Sequence, residues 1–168
     1  EICRRYGATV SRVDVEWGRA ADPQAVRAAL RAGGADLVAC VHAETSTGVL
    51  NPVKEIAAAA HEHGALVLVD AVTSFGGHPL DVAAWQLDAV YSCSQKCVRA
   101  PSAVAPIAMT PAALGRRVPC RSFYRDLALI VVFGLGAVRG LAGFSTFLHW
   151  ALHNYHHLVL AALTGLML

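Results

Sequence analysis

Ala65-Leu66-Val67-Leu68-Val69 is an unbroken apolar run that follows Gly64 and closes on Asp70. An apolar run without polar alternation marks a strand covered on both faces, the habit of parallel sheets. Asp36-Leu37-Val38-Ala39-Cys40-Val41 and Asp88 to Tyr91 carry the same mark, and Val104 to Met109 reads as a further strand. Ala8 to Val15 alternates small or apolar residues with polar ones, which also reads as a strand. Helical signals separate these runs. Asp22-Pro23 offers an N-cap and an N1 proline to a helix through Val26, Ala29 and Leu30 that stops at Gly33-Gly34. Asn51-Pro52 starts a second helix, apolar at Val53, Ile56, Ala57 and Ala60, and Thr110-Pro111 a third. Strands alternating with helices predict an α/β fold, a mainly parallel sheet with helices on both faces.

In such sheets ligands collect beyond the carboxyl ends of the strands. Three features fall there: the polar loop Glu44-Thr45-Ser46-Thr47-Gly48, the loop after Asp70, and the turn Ser94-Gln95-Lys96. Asp70 and Lys96 are 26 residues apart, enough to leave one strand, cross the sheet and enter the next. An acid and an amine at neighbouring strand ends suit pyridoxal 5'-phosphate. The lysine would form a Schiff base with the aldehyde, and the aspartate would hold the pyridine nitrogen protonated. Blander readings stand beside this one: Asp70 as the cap of the next turn, the hydroxyl loop satisfying its own backbone, Lys96 as a surface cation. Because Lys96 follows a buried strand and precedes Cys97-Val98, partly apolar surroundings are expected for it.

The 168 residues suffice for one sizeable domain, and 55% hydrophobic against 15% charged residues excludes a disordered chain. A net charge of +2, with scattered arginines, excludes a nucleic-acid binder. The five cysteines include no C-x-x-C pair and read as reduced thiols of a cytoplasmic protein. No signal peptide is visible.

Residues 127–168 differ from residues 1–126, and the change divides the chain into a ligand-binding domain and an apolar helical tail. The tail has Arg139 as its one lysine or arginine and no acid. Leu127 to Leu148 has the length of a bilayer span, but Arg139 at its centre would cost about 2.5–3.5 kcal/mol there. Gly134, Gly136, Gly140 and Gly143 lower its helix propensity, and a membrane partner is not expected. His149, His153 and His157 recur at four-residue spacing beside His156, but no carboxylate stands near to orient the rings, so no metal is assigned.

Three segments in order, His42-Ala43-Glu44-Thr45-Ser46-Thr47-Gly48-Val49, Val69-Asp70-Ala71-Val72-Thr73-Ser74-Phe75-Gly76-Gly77 and Tyr91-Ser92-Cys93-Ser94-Gln95-Lys96, resemble the class V pyridoxal-phosphate aminotransferases, in particular their alanine–glyoxylate and serine–pyruvate branch. The resemblance runs to about Ile130. It implies a fold-type-I large domain working as a homodimer on small amino acids and 2-oxo acids. It also implies an amino group moved from alanine or serine to glyoxylate or pyruvate. Lys96 would carry the cofactor and move the substrate proton, Asp70 would pair with the pyridine nitrogen, Gln95 and Ser74 would anchor the cofactor, and Thr45 would lie against it. Cys93 replaces a family glycine, Ala100-Pro101-Ser102-Ala103 replaces Ala-Pro-Pro-Gly, and Leu158 follows Tyr155-His156-His157 where the family has threonine.

The family's glycine-rich phosphate loop and substrate-binding arginine have no counterpart here, so the chain is expected to be a piece of a longer protein, inactive alone. Three alternatives remain open. One is a lyase or cysteine desulfurase of the same fold, with Cys120 as nucleophile. Another is a membrane or metal-binding protein built on the His-rich tail, and the third an inactive remnant.

Overall fold

The computed structural model describes residues 2–116 and 127–165, with side chains described through 116 and again over 135–155. It divides into two compact units, residues 1–117 and 118–168. The first unit begins with a short helix α1 (Ile2–Arg5), followed by α2 (Pro23–Gly33), β1 (Leu37–Val41), α3 (Val53–His61), β2 (Leu66–Asp70), β3 (Ala89–Tyr91), β4 (Ile107–Met109) and α4 (Pro111–Gly115). Among the described residues the strands form one sheet in the order β1-β2-β3-β4. The first three are parallel, with Val41 opposite Asp70 and Asp70 opposite Tyr91, and β4 is antiparallel to β3. The expected mainly parallel α/β sheet is present.

Local chemistry sets the boundaries. The Asp22 side chain accepts the Gln24 N–H with Pro23 at the first turn, and Gly34 ends α2 at φ 65°. Thr110 caps α4 in the same manner, accepting from Ala113 N, with Pro111 behind it. Asn51 behaves otherwise than expected. It gives α3 no side-chain cap; its Oδ1 accepts the Ala21 N–H at 2.9 Å and its Nδ2 donates to Val41 O at 2.9 Å. The amide is therefore engaged in tying the approach to α2 onto the end of β1.

The core lies on one face of β2. Val67 and Val69 are fully buried against Val53, Ile56, Ala57 and Ala60 of α3, with Val26 and Leu30 of α2 in the same cluster. Leu66 and Leu68, pointing the other way, are half-buried. On that side they line a cavity of about 670 Å³ together with Met109 of β4 and Ala113 of α4.

The expected strand over Ala8 to Val15 does not form. Among the described residues the segment has no ladder partner, and Val13, Val15 and Trp17 are exposed. Alternation marks an extended chain, but a strand also needs a neighbour to satisfy its backbone groups.

The second unit contributes α5 (Leu127–Gly165), whose helical geometry breaks at Tyr155 (φ −136°, ψ 40°). The four glycines expected to weaken it are nevertheless helical. Leu135, Val138, Leu141, Phe144, Phe147 and Trp150 are exposed. Among the described residues no helix is long and apolar enough to cross a membrane.

Candidate functional site

Each of the three parallel strands runs into a loop at its carboxyl end, and hydrogen bonds join these loops. The loop after β1 is a closed turn. Glu44 N donates to Val49 O and Gly48 N to Glu44 O, while the Glu44 carboxylate accepts both Ser46 N at 2.9 Å and Ser46 Oγ at 2.7 Å. Those bonds hold the Glu44 carboxyl below its usual range. The turn thus satisfies its own backbone and leaves Thr45 exposed at its tip. Thr45 Oγ1 meets Thr73 Oγ1 at 2.7 Å, linking this loop to the one that follows β2.

Deeper in the same seam, His42 is buried and its Nδ1 lies 2.9 Å from Ser74 Oγ, also buried. The rings of His78 and Trp85 stand edge-on to His42 at 5.6 and 5.8 Å. Burial, and then the neighbouring His78, lower the His42 pKa from the ordinary histidine value.

Lys96 rides on the third loop. Beyond β3 the antiparallel pairing continues through Ser92 N to Pro106 O and Ser94 N to Val104 O, so residues 92–106 form an excursion folded on its own base. The Ser94 hydroxyl donates to Pro101 O and Arg99 N to Lys96 O, closing the turn. This excursion leans on the loop after β2: Cys97 Sγ donates to Thr73 O at 3.1 Å and Ser92 Oγ to Ala71 O at 3.0 Å. Gly77 makes the approach possible, because a Cβ there would stand 2.5 Å from Cys97 Sγ.

Asp70 closes β2 half-buried. Its Oδ1 accepts the Val72 N–H at 2.8 Å and its Oδ2 accepts the Tyr91 hydroxyl at 2.7 Å. A carboxylate has about four lone-pair positions, so these two donors leave acceptor capacity for a ligand.

The sequence-derived residues therefore fall into two groups. Thr45, Asp70 and Ser74 lie on loops joined by direct hydrogen bonds, and the excursion carrying Gln95 and Lys96 docks on the same seam through Cys97. Ser74 is buried with its hydroxyl directed to His42. Gln95 and Lys96 are exposed, contrary to the partly apolar surroundings expected of the lysine, because the excursion stands out from the sheet. Cys120 and the side chains of His156 and His157 lie outside the described residues; among those described, no group of three or more potential ligands is placed to hold a metal. Tyr91, Thr73, His42 and Cys97 join the same hydrogen-bonded strand ends, and sequence reading did not single them out. The signal for Tyr91 was its distance past Leu87-Asp88, which sets it level with Asp70 once the strands pair in parallel.

Several known enzymes are similar to this chain. (S)-Ureidoglycine–glyoxylate transaminase of Bacillus subtilis is 42% identical over 107 residues, 64% of this chain and 26% of that protein. 2-Aminoethylphosphonate–pyruvate transaminase of Salmonella typhimurium is 39% identical over 109 residues, 64% of this chain and 29% of that protein. The crystal structure of alanine–glyoxylate aminotransferase from Nostoc sp. superposes with a TM-score of 0.72 at 37% identity, covering 77% of this chain and 35% of that one. The chain thus spans between about a quarter and a third of the length of these relatives. Residues 119–168 match a different family, described as undecaprenyl phosphate translocase-like. The profile of the class-V aminotransferases covers residues 1–120, and the chain belongs to that pyridoxal-phosphate-dependent family.

Proposed function

We propose that residues 1–120 are the cofactor-binding part of an aminotransferase that moves an amino group from alanine or serine to glyoxylate or pyruvate. The observation that carries this reading is the seam of hydrogen bonds holding the loops after β1, β2 and β3 at one end of the sheet. Pyridoxal phosphate suits the residues present, because Asp70 is anchored by two donors and keeps acceptor capacity for a pyridinium N–H. When bound, the cofactor supplies an electron sink for the substrate α-carbon. Asp70 holds the ring nitrogen protonated, Lys96 is the covalent attachment point and then the base at the α-carbon, and Thr45 and Gln95 border the ring. Ser74 acts through His42, keeping the loop after β2 in place. The names of the relatives support both glyoxylate and pyruvate as acceptors. A cytoplasmic homodimer completes the reading.

Borohydride reduction of the cofactor-loaded protein, followed by peptide mapping, tests it. The pyridoxyl mass is expected on Lys96; a label on Lys54, the other lysine of the chain, would overturn the assignment.

A second reading concerns the tail alone. The match of residues 119–168 to the translocase-like family, and the exposed Leu135, Leu141, Phe144 and Trp150 of α5, support contact with lipid. Flotation with liposomes, compared with a chain ending at residue 117, tests it; equal behaviour of the two would overturn it.

A further inference from the structure

Tyr91 is the residue of the site with the most specific contact and no assigned part. Parallel pairing sets it directly opposite Asp70, so both side chains leave the same face of the sheet. The longer tyrosine then reaches the shorter aspartate, and its hydroxyl donates to Oδ2 at 2.7 Å while Val72 N holds Oδ1. One donor on each oxygen fixes both the position and the plane of the carboxylate. Beside the pair lies a hollow of about 160 Å³ lined by Ala39, Cys40, Val41, Leu68, Asp70 and Tyr91. Among the described residues, the Tyr91 hydroxyl is the donor that keeps Oδ2 from turning into that hollow.

We propose that Tyr91 is a positioning residue whose hydroxyl clamps Asp70, so that the carboxylate presents one orientation to the ring nitrogen of the cofactor. The inference rests on the proposed cofactor site but concerns a contact made within the protein. The phenol responds to its partner: the bond to Asp70, then burial, push its pKa up to about 12. The other ionisable group lining the hollow is Cys40, whose thiol burial pushes up to about 11. Two features separate a clamp from simple packing. Phenylalanine keeps the ring and its contacts and removes only the donor, and the effect on the cofactor passes through the ring nitrogen alone.

The test uses the 168-residue chain labelled with 13Cζ-tyrosine, the Tyr91 signal being assigned by its absence in Tyr91→Phe. Between pH 9 and 11, over the range in which circular dichroism shows the fold intact, Tyr91 is expected to stay protonated past about pH 10, where a free tyrosine ionises. In Asp70→Asn it is expected to ionise near that pH. Ionisation of Tyr91 at the free-tyrosine value in the parent chain would overturn the clamp. In the loaded protein, Tyr91→Phe is expected to weaken pyridoxal phosphate binding about tenfold, as for one lost charge-assisted bond. It should leave unchanged the binding of the 1-deaza analogue, which has carbon in place of the ring nitrogen. Equal weakening of both compounds would make Tyr91 a packing residue and also overturn the clamp. If the parent chain takes up neither compound, the proposed cofactor site fails, while the titration still decides the clamp.

Discussion

Asp70 and Asp88 look alike in the sequence, each an acid at the end of an apolar run, yet the fold uses them in opposite ways. Asp88 stands at the amino end of β3 and is 8% exposed. Its Oδ2 accepts Val67 N at 2.9 Å and lies 2.8 Å from His61 Nε2, while Oδ1 accepts Thr110 Oγ1 at 3.3 Å. Its backbone carbonyl accepts Thr110 N as well. One carboxylate thus joins the end of α3, the start of β2 and the cap of α4, and little acceptor capacity remains. Asp70, at the other end of the sheet, holds two donors and opens onto exposed loops. A carboxylate saturated from within the protein is a structural lock, whereas one anchored on each oxygen with positions left over is prepared for a ligand.

The contrast is broken most directly by exchanging phenotypes. On the proposed function, Asp70→Ala is expected to leave thermal unfolding little changed and to slow the amino-transfer half-reaction roughly a hundredfold or more, because the electron sink loses its counter-charge. Asp88→Ala is expected to do the reverse. Deleting its carboxylate leaves the buried Val67 N–H without its acceptor and unties Thr110, a loss of about 3 kcal/mol read by denaturant unfolding. An Asp88→Ala protein as stable as its parent would show that the two acids are not divided in this way.

How much of this was legible beforehand differs residue by residue. Val67 and Val69, the Asp22 and Thr110 caps and the strand ends bearing Asp70 follow from local pattern, and those elements form where that pattern puts them. Ala8 to Val15 fails because pairing depends on a neighbour that alternation does not encode. Asn51 has the residue type of a helix cap, but both ends of its amide are engaged by more distant partners, Ala21 and Val41. The motifs marked Thr45, Asp70, Ser74, Gln95 and Lys96, but not how they connect. The Tyr91–Asp70 and Thr45–Thr73 contacts depend on register and loop docking, which exist only after the strands have paired.

His42 gives a smaller effect at the carboxyl end. Its folded pKa lies below the ordinary value of 6.5, so as the pH falls through 6.5 the unfolded chain takes up a proton that the folded one refuses. Stability is therefore full above that pH and declines below it, until the folded ring is protonated too. His42→Asn is expected to be less stable at pH 7, having lost the ring contacts, but to show a flatter decline between pH 7 and 5. Parallel stability profiles for the two proteins would mean that His42 is not the group responsible.

The smallest effect is expected at Glu62, a carboxylate as well paired as the other two but on the surface. Its two oxygens accept Arg27 Nε at 2.8 Å and Nη2 at 2.9 Å, a bidentate bridge between α2 and the end of α3. The bridge lowers the glutamate pKa and raises that of the arginine. Distance and geometry rival those around Asp88, so if hydrogen-bond count alone set the cost, Glu62→Gln would be comparably damaging. Solvent argues otherwise, since water rehydrates both partners when the bridge opens and salt screens what attraction remains. Glu62→Gln is thus expected to leave the unfolding midpoint within experimental error of the parent in 0.15 M salt. A loss approaching that of Asp88→Ala would mean that burial is not what separates a structural carboxylate from an incidental one.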